Sequence, residues 1–465
     1  MSEARPGRPG PGQDADSADS EPAAAWPYGP RRAEARPEAR SLAGRHARAG
    51  ATRPAGRAAF PALPAVPRAS WSALAAIASL VSVIVIGAWY LLGHHQGGAA
   101  GTRPDARPPL TAPGCSTAAG QAPALTRVAS RRITVGGRPF ATLETPDRRF
   151  VFVTLGASIA VLRDGPVPVL RATIRVPGAA NGLAMTPDGR YLLAAGGQGA
   201  VVISVARAER NAPDPVVGRL DSPRGDRAVS VLTSPDGRFV FVTLQDTTDM
   251  AVFSLARALS RGFGPSDFAG FVPLGVQPVG LAIAPDGRWL YATSFQRSAG
   301  PMPSPGILSV ISLAEAETRP GRAVVAVADA GCSPARIITD GPTVWVTARD
   351  SDALLGYSAA RLRTDPARAL EAEVRVGLAP IGLTFADGTR RIVVADSDLN
   401  ALPGRRSALS VVGVGAALAR QPALLGTIPA GPLTRQVALA DGGQIVLATG
   451  EASGQVQVIS VRDLP

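Results

Sequence analysis

One turn recurs through the last two-thirds of the chain, and nothing else in the sequence limits its fold as strongly. The clearest copies are Thr186-Pro187-Asp188-Gly189-Arg190-Tyr191, Ser234-Pro235-Asp236-Gly237-Arg238-Phe239 and Ala284-Pro285-Asp286-Gly287-Arg288-Trp289. Proline presets φ at the first corner, aspartate bonds its own backbone, and glycine takes the φ > 0 position that closes a bulged hairpin. Counting weaker copies, the turn falls at Asp147, Asp188, Asp236, Asp286, Asp340, Asp387 and Asp441, in steps of 41, 48, 50, 54, 47 and 54 residues. The pattern departs at Arg148, where glycine is missing, and at Pro342, which follows Gly341. Seven units at one period of this length mean a repeat architecture.

Each unit has one grammar. An apolar run such as Gly182-Leu183-Ala184-Met185 precedes the turn, and Tyr191-Leu192-Leu193-Ala194-Ala195 follows it. A third run, Ala200 to Val205, and a fourth, Pro215 to Leu220, close the unit. Four short strands per 40–50 residues are the blades of a β-propeller, arranged radially so that only short edges are exposed. The expected fold is all-β, a seven-bladed propeller of four-stranded blades over residues 131–465. A lone strand, Arg132-Ile133-Thr134-Val135, precedes the first turn, and only three runs surround the last one. Residues 132–135 are therefore expected to pair with 455–461 and close the ring.

Upstream, the texture is different. Residues 1–68 are rich in Pro, Ala, Arg and Gly and poor in large apolar side chains, which reads as a disordered tail. The 22 residues from Trp71 to Leu92 carry no charge and are flanked by Trp71 and by Trp89-Tyr90, as expected for one transmembrane helix. Arg40, Arg45, Arg48, Arg53, Arg57 and Arg68 lie on its near side, and no Arg follows it until Arg103. The positive-inside rule then puts the tail in the cytoplasm and the propeller outside. Residues 93–130 read as a flexible extracytoplasmic tether.

The best unit, Gly275 to Thr293 followed by Leu308 to Leu313, resembles the YVTN-type repeats of seven-bladed propellers, which include bacterial surface propellers and a lactonase-like family. The resemblance covers about residues 131–463 and implies the fold. It leaves two activities open: a binding module for a protein, peptide or envelope component, and a lactonase-like hydrolase with an Arg/acidic site at the channel mouth.

The net charge is +12, and all 48 basic residues are Arg. They form no stripe in the repeats, so nucleic acid is not an expected partner. The three histidines, His46, His94 and His95, all precede the propeller, which rules out a Ser-His-Asp triad inside it. The loops before the innermost strands carry Arg138, Asn181, Arg227, Gln277, Arg336 and Arg435, expected at one channel mouth, where guanidinium groups would suit an anionic ligand. The pairs Asp246/Asp249, Asp350/Asp352 and Asp396/Asp398 lack the glycine and terminal glutamate of a calcium loop. Glu144 is a lone acid near a turn. No catalytic residue, metal ligand or cofactor is assigned. The propeller is expected to be monomeric, with the membrane and a protein or envelope component as its partners. Cys115, in the tether, and Cys332, between the fourth and fifth units, lie on the oxidising side; a disulfide between them and two free thiols both remain open.

Overall fold

The computed structural model describes residues 108–115, 118–398 and 407–465. The tail, the apolar 71–92 segment, the first part of the tether and the loop Asn400 to Arg406 lie outside the described residues. Among the described residues no helix is long and apolar enough to cross a membrane.

Seven four-stranded antiparallel sheets follow one another along the chain. Blades 1 to 6 span 142–180, 183–221, 228–273, 276–332, 334–375 and 380–429. Blade 7 takes its three inner strands from 434–460 and its outer strand from Ser130–Thr134. The closing register pairs Arg132 with Gln457, Ile133 with Val456 and Thr134 with Gln455, as the unequal run counts at the two ends required. Val151 and Leu162 of blade 1 share one buried cluster with Leu447 and Val458 of blade 7, so the ring is shut by apolar packing as well as by hydrogen bonds.

The repeated turn has one geometry. The Thr186 hydroxyl donates to Asp188 Oδ1 at 2.6 Å and accepts from Tyr191 N, while Arg190 N donates to the same carboxylate. Ser234, Asp236, Arg238 and Phe239 repeat these bonds. The Thr186 hydroxyl holds the Asp188 carboxyl below its usual range, since the bonds favour the charged form. Gly189, Gly237 and Gly287 sit at φ 71°, 72° and 66°. At the imperfect copy Arg148 itself adopts φ 56°, so the backbone keeps the turn at the expense of a side chain in the left-handed region.

A second recurrent device joins the blades. Thr293, near the end of its blade's second strand, accepts from Gly280 N and donates to the Ala335 carbonyl of the next blade at 2.8 Å. Thr154, Thr243, Thr347 and Thr449 do the same toward Asn181, Val279, Ile381 and Phe140. The last of these crosses the ring closure. Thr293→Val removes both bonds and leaves buried backbone groups unpaired, so a loss of about 1–3 kcal/mol is expected in denaturant unfolding. An unchanged midpoint would show that the bond carries no weight.

Five short helices lie between the third and fourth strands of blades 2 to 6: α1 (Val205–Glu209), α2 (Leu255–Arg261), α3 (Leu313–Thr318), α4 (Ala359–Thr364) and α5 (Val414–Leu418). Sequence periodicity misses them because none is long enough to show a 3.6-residue repeat. The local signal of the first four is the serine cap: Ser204, Ser254, Ser312 and Ser358 each accept from the N–H three residues on, whereas α5 begins at Gly413 without one.

From Pro108 the segment read as a tether is packed on the rim. The Pro108 carbonyl accepts from Arg420, Ser351 Oγ donates to the Gly114 carbonyl, and Gly120 N donates to the Val376 carbonyl. Residues 123–125 then run alongside the outer strand of blade 6: Leu125 N donates to the Thr427 carbonyl and Thr427 N to the Pro123 carbonyl. Leu110, Leu125 and Val128 each enter an apolar cluster of the ring. These three apolar side chains, scattered in a Pro- and Ala-rich stretch, are what the composition conceals. The strap also covers an edge strand that would otherwise offer unpaired backbone.

Candidate functional site

The six residues expected on one rim occupy three levels of the structure. Asn181 and Arg435 hold the innermost-strand position equivalent to Phe140, Val279, Ala335 and Ile381, most of whose carbonyls receive a threonine hydroxyl. Arg138, Arg227 and Gln277 come two residues earlier, and Arg336 comes one residue later. Arg227 and Gln277 are corners with φ 54° and 56°. Gln277, Arg336 and Arg435 lie within strands rather than in the preceding loops. An irregular register causes the error: a bulge separates Pro278 from Gly280, and similar shifts interrupt the innermost strands of blades 5 and 7.

The structure brings Arg138 and Arg435 together around Glu451, which sequence reasoning missed. Both guanidinium groups bond this one carboxylate. The Arg435 and Glu451 side chains are only 4% and 6% exposed, whereas Arg138 is 59% exposed. The buried ion pair lies within blade 7, and the solvated Arg138 links the entry to blade 1 to it. Arg227 lies apart and donates to Gln245 Oε1 at 3.2 Å.

Arg336 acts across the ring. It starts in blade 5, and its Nη1 bonds the Ser230 hydroxyl of blade 3 and the Val279 carbonyl of blade 4. Its guanidinium also lies 5.6 Å from the ring centroid of Phe140, at the entry to blade 1. One side chain therefore braces four blades at the channel. Nearby, Val279, Phe295 and Ala335 are buried together, with Met302, from the loop between the second and third strands of blade 4, and Ile381 packed against them. This apolar cluster lies beside blades 4 to 6, and the charged group of Arg138, Arg435 and Glu451 beside blades 7 and 1.

The aspartate pairs serve the fold. Asp246 accepts from Asp226 N, Asp249 pairs with Arg224 and Asp350 pairs with Arg349. Asp352 accepts from Ala379 N, and Asp396 accepts from Ser410 Oγ. Among the described residues no group of three or more His, Cys, Asp or Glu is arranged to hold a metal ion. Cys115 and Cys332 are joined by a disulfide with their Cα atoms 5.2 Å apart. Cys332 is the last residue of the outer strand of blade 4 rather than part of a loop.

Four carboxyls are displaced upward, Glu144, Glu209, Glu317 and Asp396, and the first and last of them move furthest. Burial pushes Asp396 up to about 8, and the Asp352 charge acts in the same sense against the bond from Ser410. Burial and the neighbouring Asp164 push Glu144 up to about 7, although Gly442 N of blade 7 donates to it at 2.8 Å. Glu144 thus lies at the corner joining blades 1 and 7, on the turn side. Both groups hold a proton more tightly when folded than when unfolded. The stability they contribute is present below their unfolded pKa, about 4, and is lost as pH rises through 7 and 8. The melting temperature should therefore fall from about pH 5 to about pH 9, and Asp396→Asn should flatten the upper part of that fall. A melting temperature that rises over this interval would contradict the assignment.

No protein-family model and no curated protein sequence matches the chain. Solved structures do. Hydrazine synthase of Kuenenia stuttgartiensis superposes with a TM-score of 0.53 at 16% identity, covering 70% of this chain and 96% of that one. The β-propeller domain of Cps50 (Swd1) from Myceliophteria thermophila gives 0.53 at 13% identity, covering 71% and 98%. At such identities the likeness establishes the fold: the chain contains a seven-bladed β-propeller of four-stranded blades.

Proposed function

We propose that the chain is a membrane-anchored, extracytoplasmic binding module whose propeller engages a protein, peptide or envelope component at the channel mouth. The observation that carries this reading is the mouth's two-sided chemistry. The exposed Arg138, held by the buried Glu451–Arg435 pair, stands on one side, and the half-buried Met302 and Ile381, packed over Val279 and Phe295, on the other, on a scaffold braced by Arg336. Loops and strand ends fixed on a rigid ring are where recognition is usually built. The uncharged 71–92 segment supports the anchor, and the Cys115–Cys332 bond suits an oxidising compartment. The repeats' resemblance to YVTN propellers agrees with a surface role.

Affinity capture from solubilised envelopes with the full chain tests this reading. A specific protein or polymer should be retained, and it should be lost with the charge-reversed pair Arg138→Glu and Arg227→Glu. Hydrolysis of sugar lactones that disappears in Arg336→Ala would replace the binding reading with the lactonase-like one. Cleavage of the propeller by protease added to intact cells, at sites in 131–465, is the expected topology; full protection would sink it.

A further inference from the structure

Every boundary between consecutive blades has a place on the rim where the later blade can cover the earlier one. At the 1–2 boundary Val205 and Ala208 of α1 pack with Ile174 and Val176 of blade 1. α2, α3, α4 and α5 close the next four boundaries through Leu255/Ala258, Leu313/Ala316, Ala359/Leu362 and Val414/Ala417. At the 6–7 boundary the strap residues Leu125 and Val128, with Leu464, take that place.

The outer strands are shaped to receive these covers. At a shared bulge they carry Ala172, Gly218, Gly270, Ala326, Ala372 and Gly426. Where the residue is glycine, the space of a side chain is filled from the neighbouring cover by Phe263 at Gly218, Pro320 at Gly270 and Leu125 at Gly426.

The 7–1 boundary differs. Blade 1 connects its third and fourth strands through only residues 164–168, with no helix. The equivalent seat in blade 7, opposite Val458, is Arg131. Ile133 of the same strand packs against the buried cluster that holds Leu162 of blade 1, so both strands border one core. Leu170, paired with Leu162, is 42% exposed. Its counterparts Val216, Phe268, Val324, Leu370 and Leu424 all join the clusters their helices complete. Val167 and Val169 are 36% and 56% exposed, so three of the seven exposed large hydrophobics of the described residues fall within four positions. Arg131, Arg171 and Arg175 are exposed, and among the described residues no ion pair involves them.

We propose that this open boundary is a docking seat for a short amphipathic helical segment of a partner protein. Its apolar side chains would cover Leu170 and Val169, and an acidic side chain would meet Arg131 where the intramolecular covers place Phe263, Pro320 or Leu125. The helical form follows from the five α-helical covers at equivalent places, and the acidic character from the arginine that replaces Gly or Ala. This seat is on the rim and is independent of the channel mouth.

The probe is a helix-stapled peptide of residues 312–324 carrying Pro320→Glu, which retains Leu313 and Ala316 and puts an acid at the seat. Fluorescence anisotropy against the full chain should show saturable one-to-one binding. Leu170→Asp should weaken it at least about ten-fold, the loss expected for an uncovered leucine. Arg131→Glu should weaken it about five-fold and favour a Pro320→Arg peptide instead, as for an ion pair worth about 1 kcal/mol. Both positions are solvent-exposed; if Leu170→Asp lowers the melting temperature, Val169→Ser repeats the test. Absence of saturable binding, or binding indifferent to these substitutions, overturns the proposal. So does Leu170-dependent binding of the chain to phosphatidylglycerol vesicles that displaces the peptide, which would make the patch a lipid-facing surface.

Discussion

Removing the Cys115–Cys332 bond is expected to lower the stability of the propeller by about 3–5 kcal/mol, because the bond closes a loop across 217 residues. The chain-entropy account puts the upper figure near 5 kcal/mol for a loop of this length. In a ring this large it corresponds to a melting temperature lower by roughly 6 °C. The substitution to make is Cys115→Ser with Cys332→Ala, since Cys332 is fully buried and an alanine there leaves no unpaired polar atom. Reductant should reproduce the shift in the wild-type chain and have no effect on the double variant. Local consequences should accompany the global one. Leu110 and the Ser351–Gly114 bond flank the disulfide. Limited proteolysis should therefore cut 108–128 faster once the bond is gone. Unchanged cutting would show that the strap is held by its packing alone.

Glu451→Gln is the second large effect. The substitution strips the counter-charge from Arg435, which is 4% exposed, and a buried charge that loses its partner costs about 3–5 kcal/mol. Arg138 can turn to solvent and contributes little of that loss. Replacing both members of the buried pair, Glu451→Met with Arg435→Met, should recover most of the stability, because the desolvation penalty of two charges disappears with their attraction. A double-mutant cycle by urea unfolding separates these terms. If Glu451→Gln alone is neutral, the buried Arg435 does not depend on this carboxylate within blade 7.

Much of the architecture is readable from the chain because its determinants are local and repeated. Pro187-Asp188-Gly189 and its copies act within five residues, and the hydroxyl before the proline and the aspartate after it bond each other directly. The lone strand before the first turn and the three runs around the last one announce the closure between Arg132 and Gln457. The threonines at 154, 243, 293, 347 and 449 stand in the sequence as a Val-Thr or Ala-Thr after five of the seven turns. Their role is not legible there, because the carbonyl each one meets belongs to the next blade.

The candidate site was legible only as a set of residue types. Arg138 and Glu451 are 313 positions apart, and Arg336 reaches Ser230 across 106. No periodicity relates such pairs; a bulge that advances the register by one residue decides whether an arginine reaches the channel or turns a corner. The same holds for the rim, where the difference between Gly426 and Arg131 acquires meaning only when Leu125 is seen to fill one place and nothing among the described residues to fill the other. By itself the sequence determined the blade, its number and its closure, since these rest on short-range turn chemistry and apolar alternation. Tertiary structure alone decided which charges meet, which side chain crosses the ring and which boundary no described residue covers, since these rest on contacts between blades that the chain order does not bring together.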